Sequence, residues 1–432
     1  MKTMITVLLL LNLAREDAWA TTNPVVLSPG LIGELVEEAR TNSPVLRAAE
    51  ARVRAAEANS ESIPLWENPE LLVGGVAAPR EMRMEEGDIV VGVEQALPIN
   101  GKARAARRLA REEGKIAELQ NSLEYQNLRK EIAIAAFSLA LAEEQLLIAR
   151  ENHHWLQTTV EGMTGKLRAG GGEQVELLRM QAESARALNE IRNGETERDL
   201  VRITLSRLLN RSSEAAAPIL RLPAPAPELV FNQRLVDLAL KFEPQLQVLR
   251  ATVKRAEAGM ERAVAERRPD FSLGLEGRQY SGNGEFQEGA VFLKVSLPFF
   301  NQGKLKKGVS RERANIEAAE SDLEAYRLRT REEVYFLWTR IDRARREALT
   351  YSSEVIPRAE QALESAQGAW HSNQDLFRNV LEARRMLVES RGIYFRAVKE
   401  QYQMMAELVL CCGLGDLESL TMILESAKEE SN

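Results

Sequence analysis

Apolar residues recur with two different periods along this chain, and the two periods separate its predicted helices from its predicted strands. Over residues 70–97 and 270–298 apolar residues alternate with small or polar ones, which predicts half-buried β-strands. The long segments that begin at Lys102 and Lys304 place apolar residues at spacings of three, four and seven, which predicts amphipathic helices. The chain is therefore expected to be mainly α with a small β part of four strands, arranged as two hairpins.

The second half of the chain repeats the first half at an offset of 200 residues. Around the step from strand to helix, identical residues stand at Val91 and Val291, Leu97 and Leu297, and Pro98 and Pro298. Before the first hairpin, residues 35–58 share ten identities in 24 positions with residues 235–258. Such agreement at one fixed offset indicates a tandem duplication.

This repeat predicts the organisation of the whole chain. The start has a lysine, an apolar run and the small-x-small sequence Ala18-Trp19-Ala20, which is typical of an export signal. The predicted parts are a signal peptide (1–20), a first repeat (21–212) with a β-hairpin (70–97) and a long helical hairpin (102–209), a proline-rich linker (213–228), a second repeat (229–413) with a β-hairpin (270–298) and a long helical hairpin (304–411), and a tail (414–432).

The predicted strands need an environment for their apolar face. Two hairpins cannot form a deep sheet core in water, although they could form a small capping sheet. Strands of about 9 to 11 residues with an apolar outer face also suit a membrane barrel, which must be closed, so several chains would each contribute four strands. The predicted lipid-facing residues are Ile89, Val91, Val93, Leu273, Leu275, Val291, Leu293 and Val295.

Composition and charge narrow the possible partners. The net charge is −7, and basic residues are interspersed with acidic ones, so a nucleic-acid partner is not expected. No segment after the signal is predicted to be a transmembrane helix. The only cysteines, Cys411 and Cys412, are adjacent, which disfavours a structural disulfide between them. The alternatives are two small helix-end residues, or a redox role or pairing with another chain.

Catalytic and metal-binding patterns are not found in the sequence. The stretch 162–166 and the glycines at 170–172 lack the spacing of a phosphate-binding loop. His153, His154 and His371 show no metal-ligand spacing to a carboxylate or a cysteine. The prediction is therefore a protein that is not an enzyme and that has no cofactor, no resident metal and no catalytic residue.

These features together resemble the TolC-like outer-membrane factor family of bacterial efflux and secretion systems. The resemblance rests on the duplication, the paired hairpins, the junctions from Leu97-Pro98 to Gly101-Lys102 and from Leu297-Pro298 to Gly303-Lys304, and the sequences GEQVELLRMQA (172–182) and NQDLFRNVLEAR (373–384). It implies a homotrimer with a twelve-stranded barrel in outer-membrane lipid and a periplasmic α-barrel of coiled-coil-like helices. It also implies a passive export duct that works with a periplasmic adaptor and an inner-membrane pump.

The resemblance also implies particular sites. Glu176, Arg179, Asn379 and Glu382 would lie at a pore constriction at the periplasmic tip, with Asn379 where family members often have an acid. The alternative is that Glu176 and Glu382 are solvated charges paired with Arg179 and Arg384. At the junctions, Pro98 and Pro298 would end strand pairing, and Gly101 and Gly303 would allow a change of direction.

Two questions stay open at the level of sequence. A soluble periplasmic coiled-coil adaptor or scaffold is the alternative to a channel, with the hairpins as a small soluble domain. The exported substrate is a metal ion, a drug or a protein, and the short hairpin loops and compact linker look most like the heavy-metal efflux branch of the family.

Overall fold

The computed structural model describes residues 24–76, 88–169, 174–214, 218–280, 286–298, 300–372, 377–417 and 419–420. The predicted signal peptide, the glycines at 170–172 and most of the predicted tail lie outside these residues. The chain folds into two compact units, each built from separate stretches. The larger unit is Met1–Leu46, Leu123–Pro244 and Leu328–Asn432, and the smaller unit is Arg47–Ser122 and Gln245–Arg327. Each unit therefore takes segments from both sequence repeats.

The described residues form long helices and short strands. In chain order the elements are β1 (Val25–Val26), α1 (Pro29–Asn42), α2 (Pro44–Ser62), β2 (Glu70–Val76), β3 (Asp88–Leu97), α3 (Lys102–Arg168), α4 (Gln174–Leu209), β4 (Leu220–Arg221), α5 (Gln233–Phe242), α6 (Pro244–Ala265), β5 (Asp270–Tyr280), β6 (Phe286–Ser296), α7 (Gln302–Thr350), α8 (Ile356–His371) and α9 (Phe377–Cys411). The protein is thus mainly helical with a small sheet part, as the sequence predicts.

Equivalent prolines interrupt the helices in the two repeats. Ser43 and Glu243, which precede Pro44 and Pro244, have non-helical backbones with ψ of 123° and 124°. A proline disfavours the helical conformation in the residue before it, so α1 and α5 end there and a new helix begins.

A third proline has a different effect in the second repeat. Between α7 and α8, residues Tyr351–Val355 form a π-helical segment, in which the Ile356 N–H donates to the Tyr351 carbonyl. Pro357 lacks an N–H and crowds the preceding turn, and a π-helical turn accommodates that loss. The sequence reading of an unbroken α-helical pattern after Lys304 missed this segment.

The larger unit has a conventional helical core. Its largest fully buried side chains include Ile132 and Phe137 of α3, Leu235 of α5, Ile341 of α7 and Leu408 of α9, and others lie in α4 and β4. Within α3 an 18-residue window has a mean hydropathy of 1.7, enough by length and composition to cross a membrane, and 61% of it is buried. The prediction that no later segment has such a composition was wrong, but burial accounts for these apolar residues as core.

The smaller unit contains a four-stranded antiparallel sheet with the order β2-β3-β5-β6. The central pair, β3 and β5, joins a strand of the first repeat to a strand of the second. It runs from Asp88 opposite Tyr280 to Leu97 opposite Phe271. An irregularity at Arg278 and Gln279 shifts the register of β5 against β6. The two hairpins therefore form one sheet within a single chain.

Candidate functional site

One face of the sheet is apolar and exposed. The register places Val73 opposite Val91, Val93 opposite Leu275, and Leu275 opposite Val291, so their side chains share a face. The eight residues singled out from the sequence all lie on this face and are 40 to 71% exposed. Leu71 and Val73 of β2 belong to it as well, although the run Leu71-Leu72-Val73 hides their alternation in the sequence.

The opposite face of the sheet is polar. Ser272 Oγ and Lys294 Nζ donate hydrogen bonds to Glu94 Oε1 at 2.5 and 3.0 Å. Nearby, Arg278 Nη1 pairs with Glu288 Oε1 at 3.0 Å. The Phe292 ring covers Gly274, where an added Cβ would lie 2.1 Å from its Cζ. The sheet therefore separates an exposed apolar surface from a polar surface with internal hydrogen bonds.

The sheet also has two open edges. In the described part of the chain, neither β2 nor β6 pairs with a strand on its outer side. An exposed apolar face with open edges favours association with other chains in water. This surface therefore requires a partner.

At the first junction the chain turns sharply from strand to helix. Residues Pro98–Asn100 form one turn of 3-10 helix, and Gly101 follows with φ of 76°, in the left-handed region that favours glycine. Asp270 at the start of β5 accepts hydrogen bonds from Asn100 Nδ2 and Lys102 Nζ, both at 2.7 Å. Arg268 Nη1 donates to the Asn100 carbonyl at 2.9 Å. Side chains preceding and starting β5 thus hold the junction.

The second junction does not use its glycine in the same way. Gly303 lies in the first turn of α7, its φ is outside the left-handed region, and an added Cβ would meet nothing within 4 Å. The expectation that Gly303 is a turning point was wrong. Three positions separate Pro98 from Gly101 but five separate Pro298 from Gly303, and the two extra residues carry the second glycine into the helix.

The predicted constriction residues lie near the starts of two helices in the larger unit. Glu176 is half-buried in the first turn of α4 and Arg179 is exposed one turn later. Asn379 and Glu382 occupy the first two turns of α9, with Asn379 half-buried and Glu382 exposed. The structure describes one chain and gives no distance between the equivalent residues of several chains.

The alternative pairing of Glu382 with Arg384 was wrong. Glu382 Oε1 lies 3.9 Å from Arg378 Nε, one turn earlier on the same helix. Arg384 Nε instead donates to Asn152 Oδ1 of α3 at 3.1 Å, and its guanidinium lies 5.3 Å from the centre of the Trp155 ring. Burial, with a smaller contribution from Arg391, lowers the pKa of Arg384.

Three arginines of α9, Arg384, Arg385 and Arg391, join the helical hairpin of the second repeat to that of the first. We call them the arginine clasp. Arg385 Nη2 bonds to Glu183 Oε1 of α4 at 2.5 Å. Arg391 bridges Glu151 of α3 at 3.3 Å and Glu360 of α8 at 2.8 Å. Sequence reasoning did not find the clasp, because its partners in the first hairpin, Asn152, Glu183 and Glu151, lie 202 to 240 residues away in the chain.

An apolar cluster reinforces the same contact between hairpins. Met163 and Met180 of the first repeat and Phe377 and Val380 of the second are buried together. The rings of Trp370 and Phe377 meet edge to face at 5.1 Å, and Lys166 Nζ lies 4.1 Å above the centre of the Trp370 ring. The ends of α3, α4, α8 and α9 therefore pack as one bundle.

The described residues offer little reactive chemistry. They contain no group of three or more histidine, cysteine, aspartate or glutamate side chains placed to hold a metal ion. Cys411 and Cys412 are both buried and free. Burial raises the pKa of Cys412 to about 12 and that of Cys411 still further, so both are protonated thiols at neutral pH.

Comparison with protein families gives a match over both repeats. The family model described as outer membrane efflux protein matches residues 35–211 and again residues 235–413. Together the two matches cover well over half of the chain, and their nearly equal lengths agree with the tandem duplication.

Individual relatives agree with this match. The cobalt-zinc-cadmium resistance protein CzcC of Cupriavidus metallidurans is 23% identical over 345 residues, which is 78% of each chain. The pyoverdine export outer membrane protein OpmQ of Pseudomonas putida is 24% identical over 418 residues, 89% of this chain and 86% of its own. The crystal structure of the outer membrane protein VceC from Vibrio cholerae aligns with a TM-score of 0.75 at 19% identity, covering 89% of this chain and 97% of VceC.

Proposed function

Because the chain belongs to the outer membrane efflux protein family and is an outer-membrane channel of an efflux system, we propose that it acts as a homotrimer. In this assembly three four-stranded sheets close into one twelve-stranded β-barrel. The alternative of a soluble periplasmic adaptor or scaffold is set aside, because the matching family is that of the channel.

The observation that carries the proposal is the sheet with two unlike faces. Its exposed apolar face suits lipid, and its polar face, with Glu94, Ser272 and Lys294, suits a water-filled lumen. Lipid tolerates a sheet only when every backbone group is paired, so the open edges of β2 and β6 must meet those of other chains. Three chains with four strands each supply the twelve strands that the resemblance implies.

The helices then form the periplasmic part of the duct. Each repeat contributes one strand hairpin to the barrel and one long helical hairpin to the tunnel. With the proposed division into two repeats and a linker, the two halves of a chain therefore make equivalent contributions. The turn at Pro98 to Gly101 is where the lipid-embedded strand becomes a helix in water. No step of this transport requires catalysis by the channel.

Outer membrane efflux channels work with an adaptor and an inner-membrane pump. We assign this chain the same two partners, a periplasmic adaptor and an inner-membrane pump that delivers cargo to the helical end. The bundle at the ends of α3, α4, α8 and α9 supports this, because it presents the exposed apolar side chains of Val175 and Leu178 at the start of α4.

Trimer formation is tested by fractionation and light scattering of the full chain. The expected result is recovery in the detergent-extracted outer membrane with the protein mass of three chains. Recovery in the soluble periplasmic fraction would contradict the channel itself. A mass of one or two chains in detergent would contradict the trimer.

The same helical ends are proposed to form the gate of the duct. Glu176, Arg179, Asn379 and Glu382 would surround its narrowest part, and a ring of three Glu382 carboxylates would attract cations and repel anions. The arginine clasp holds the second hairpin against the first and so favours the closed position.

The charge ring is tested by conductance in planar bilayers. Glu382→Ala and Glu176→Ala channels should lose cation preference, because each removes three negative charges from the constriction. The control is Glu320→Ala. Glu320 is an exposed acid of α7 in the smaller unit, so this variant removes the same charge outside the predicted constriction. Unchanged selectivity in both tip variants would exclude the ring.

We propose metal ions as the cargo. The name of CzcC refers to cobalt, zinc and cadmium resistance, whereas that of OpmQ refers to export of pyoverdine, so the two relatives suggest different substrates. A deletion strain should accumulate cobalt, zinc or cadmium and should regain efflux with the wild-type chain. Accumulation of organic dyes, with unchanged metal content, would overturn the metal assignment and leave the channel intact.

A further inference from the structure

The two long helices, α3 and α7, both start in the smaller unit at the same end of the sheet. Leu97 at the end of β3 pairs with Phe271, and Ser296 at the end of β6 pairs with Asp270, so these strand ends are aligned. Helix α3 begins at Lys102 and α7 at Gln302, five and six residues beyond those ends. We call this end of the sheet, where the strands lead into the helices, the helix edge. It is distinct from the open edges of β2 and β6.

Positive charge is concentrated at the helix edge. Residues 98–108 contain four basic residues and no acid, and residues 300–313 contain five basic residues and one acid. The whole chain carries a net charge of −7. The basic residues are Lys102, Arg104, Arg107, Arg108, Lys304, Lys306, Lys307, Arg311 and Arg313. The helix edge is thus opposite in charge to the protein as a whole.

Several of these cations have partners within the chain and several do not. Lys102 bonds to Asp270, Arg108 to Glu261 at 2.8 Å, and Arg311 to Glu312 at 2.6 Å. Within the described ranges, no hydrogen bond or ion pair is made by the exposed side chains of Arg104, Lys304, Lys306 and Lys307. Their charge is therefore available to a ligand outside the chain.

Exposed apolar side chains lie among these cations. Leu297 and Phe300, which continue from β6, are 53 and 104% exposed. Leu65 and Trp66, just before β2, are also exposed, and Gln95 Nε2 fixes this segment by donating to the Glu67 carbonyl at 2.9 Å. Aromatic side chains mixed with lysines are typical of protein surfaces at the boundary between hydrocarbon and lipid headgroups.

We propose that the helix edge binds anionic phospholipid headgroups of the leaflet that faces the periplasm. Lys304, Lys306 and Lys307 would contact the headgroup phosphates, and Phe300 and Trp66 would lie at the level of the ester groups. Two observations favour lipid over a protein partner: the surface continues the apolar face of the sheet, and its charge complements phosphate. The proposal rests on the proposed function, since it requires the sheet to lie in the outer membrane.

The test measures lipid preference of the full-length trimer by native mass spectrometry after reconstitution in phosphatidylethanolamine with and without phosphatidylglycerol. The wild type should retain phosphatidylglycerol selectively. The variant Lys304→Gln/Lys306→Gln/Lys307→Gln should lose roughly a hundredfold of that preference, since each lysine near a lipid surface contributes about fivefold. Replacement of the same three lysines by arginine should preserve it.

A matched control removes equal charge elsewhere. Lys254→Gln/Arg329→Gln/Arg331→Gln changes three exposed basic residues away from the helix edge and should keep the wild-type lipid preference. Equal retention of both lipids by the wild type, or equal losses in the two triple variants, would overturn the lipid site. Conductance separates this outcome from failure of the channel: a wild type that conducts without lipid preference refutes only the lipid site, whereas a wild type that does not insert refutes the proposed function.

Discussion

The helical core of the larger unit and the sheet of the smaller unit place apolar side chains in opposite environments. In the core, Phe137 and Ile341 are 1 and 0% exposed, whereas in the sheet Val291 and Leu293 are 71 and 62% exposed. Both patterns are regular and both follow the period of their secondary structure. The period of the apolar residues therefore distinguishes helix from strand. Whether those residues are buried in the chain indicates whether the apolar face meets protein or requires lipid.

The difference has a direct physical meaning. Water drives apolar side chains of the helices together, and their removal from water stabilises the larger unit. The same driving force cannot act on the sheet of a single chain, since its apolar face has nothing to cover it. In a membrane, hydrocarbon supplies that cover.

Truncation of a core side chain should give the largest loss of stability. Phe137 is buried and stacks on Tyr402 with ring centres 5.0 Å apart, so Phe137→Ala should lower the free energy of unfolding by about 3–5 kcal/mol. Denaturant unfolding followed by circular dichroism measures this loss. The control is Leu275→Ala on the exposed face, which leaves no cavity inside the protein, and an equal loss there would break the contrast.

A charge on the apolar face should prevent insertion. Val291→Arg places a cation in lipid and should cost about 2–4 kcal/mol per chain near the bilayer centre. Ala290→Arg, one residue earlier and on the polar face, should insert normally. The yield of each variant in the outer membrane fraction measures the difference. Equal yields would mean that the two faces do not meet different solvents.

The two junctions should respond unequally to the same substitution. Gly101→Ala forces a side chain into a left-handed conformation and should destabilise the protein by about 1–2 kcal/mol. Gly303→Ala replaces a helical glycine with open space around it and should stabilise by about 0.5–1 kcal/mol. Thermal unfolding of both variants gives the comparison, and a loss at Gly303 would show that the second junction also needs its glycine.

The smallest effect concerns a half-buried acid of α3. Burial raises the pKa of Glu143 above its ordinary value of 4.5, and attraction by Arg198, Arg221 and Arg150 only partly offsets this. An acid with a raised folded pKa lowers stability as pH rises from its ordinary value through its folded value. Glu143→Gln should therefore stabilise the protein at neutral pH, by less than about 1 kcal/mol because solvent screens half-exposed charges.

This pH prediction is checked by unfolding at two pH values. The advantage of Glu143→Gln should be present at pH 7 and absent below pH 4, where the wild-type carboxyl is protonated in both the folded and the unfolded state. An advantage that grows towards low pH would reverse the sign and contradict the assignment.

The fold was largely predictable because its signals are local. Alternation in Val291, Leu293 and Val295 specifies one face of a strand whatever that strand pairs with. The proline breaks at Pro44 and Pro244 follow from the same local rules. Pro357 was also visible in the sequence, and its position inside a helical pattern could have indicated the π-helical segment before it.

The contacts between distant segments were not predictable. Arg378 lies four residues before Glu382 on the same face of α9, whereas Arg384 lies two residues after Glu382 and on a different face, so helical spacing alone favours Arg378 as the partner. The contacts of Arg384 with Asn152 and Trp155 of α3 join distant segments, and local spacing does not indicate them. Gly101 and Gly303 look equivalent, yet the spacing after each proline gives them different backbones. Side-chain contacts thus depend on tertiary neighbours, and the backbone conformation at the junctions depends on a two-residue difference in spacing. The periodicity of the sequence specifies neither.

The central claim is that one face of the sheet meets lipid and the other meets water. Spin labels at Val291→Cys and Ala290→Cys test it most directly, in full-length protein with Cys411 and Cys412 replaced by alanine and reconstituted in a bilayer. Label accessibility to oxygen, which partitions into lipid, and to a water-soluble nickel complex is then compared. The account predicts high oxygen and low nickel accessibility at position 291 and the reverse at position 290. Equal accessibility at both positions, or nickel access at position 291, would contradict it.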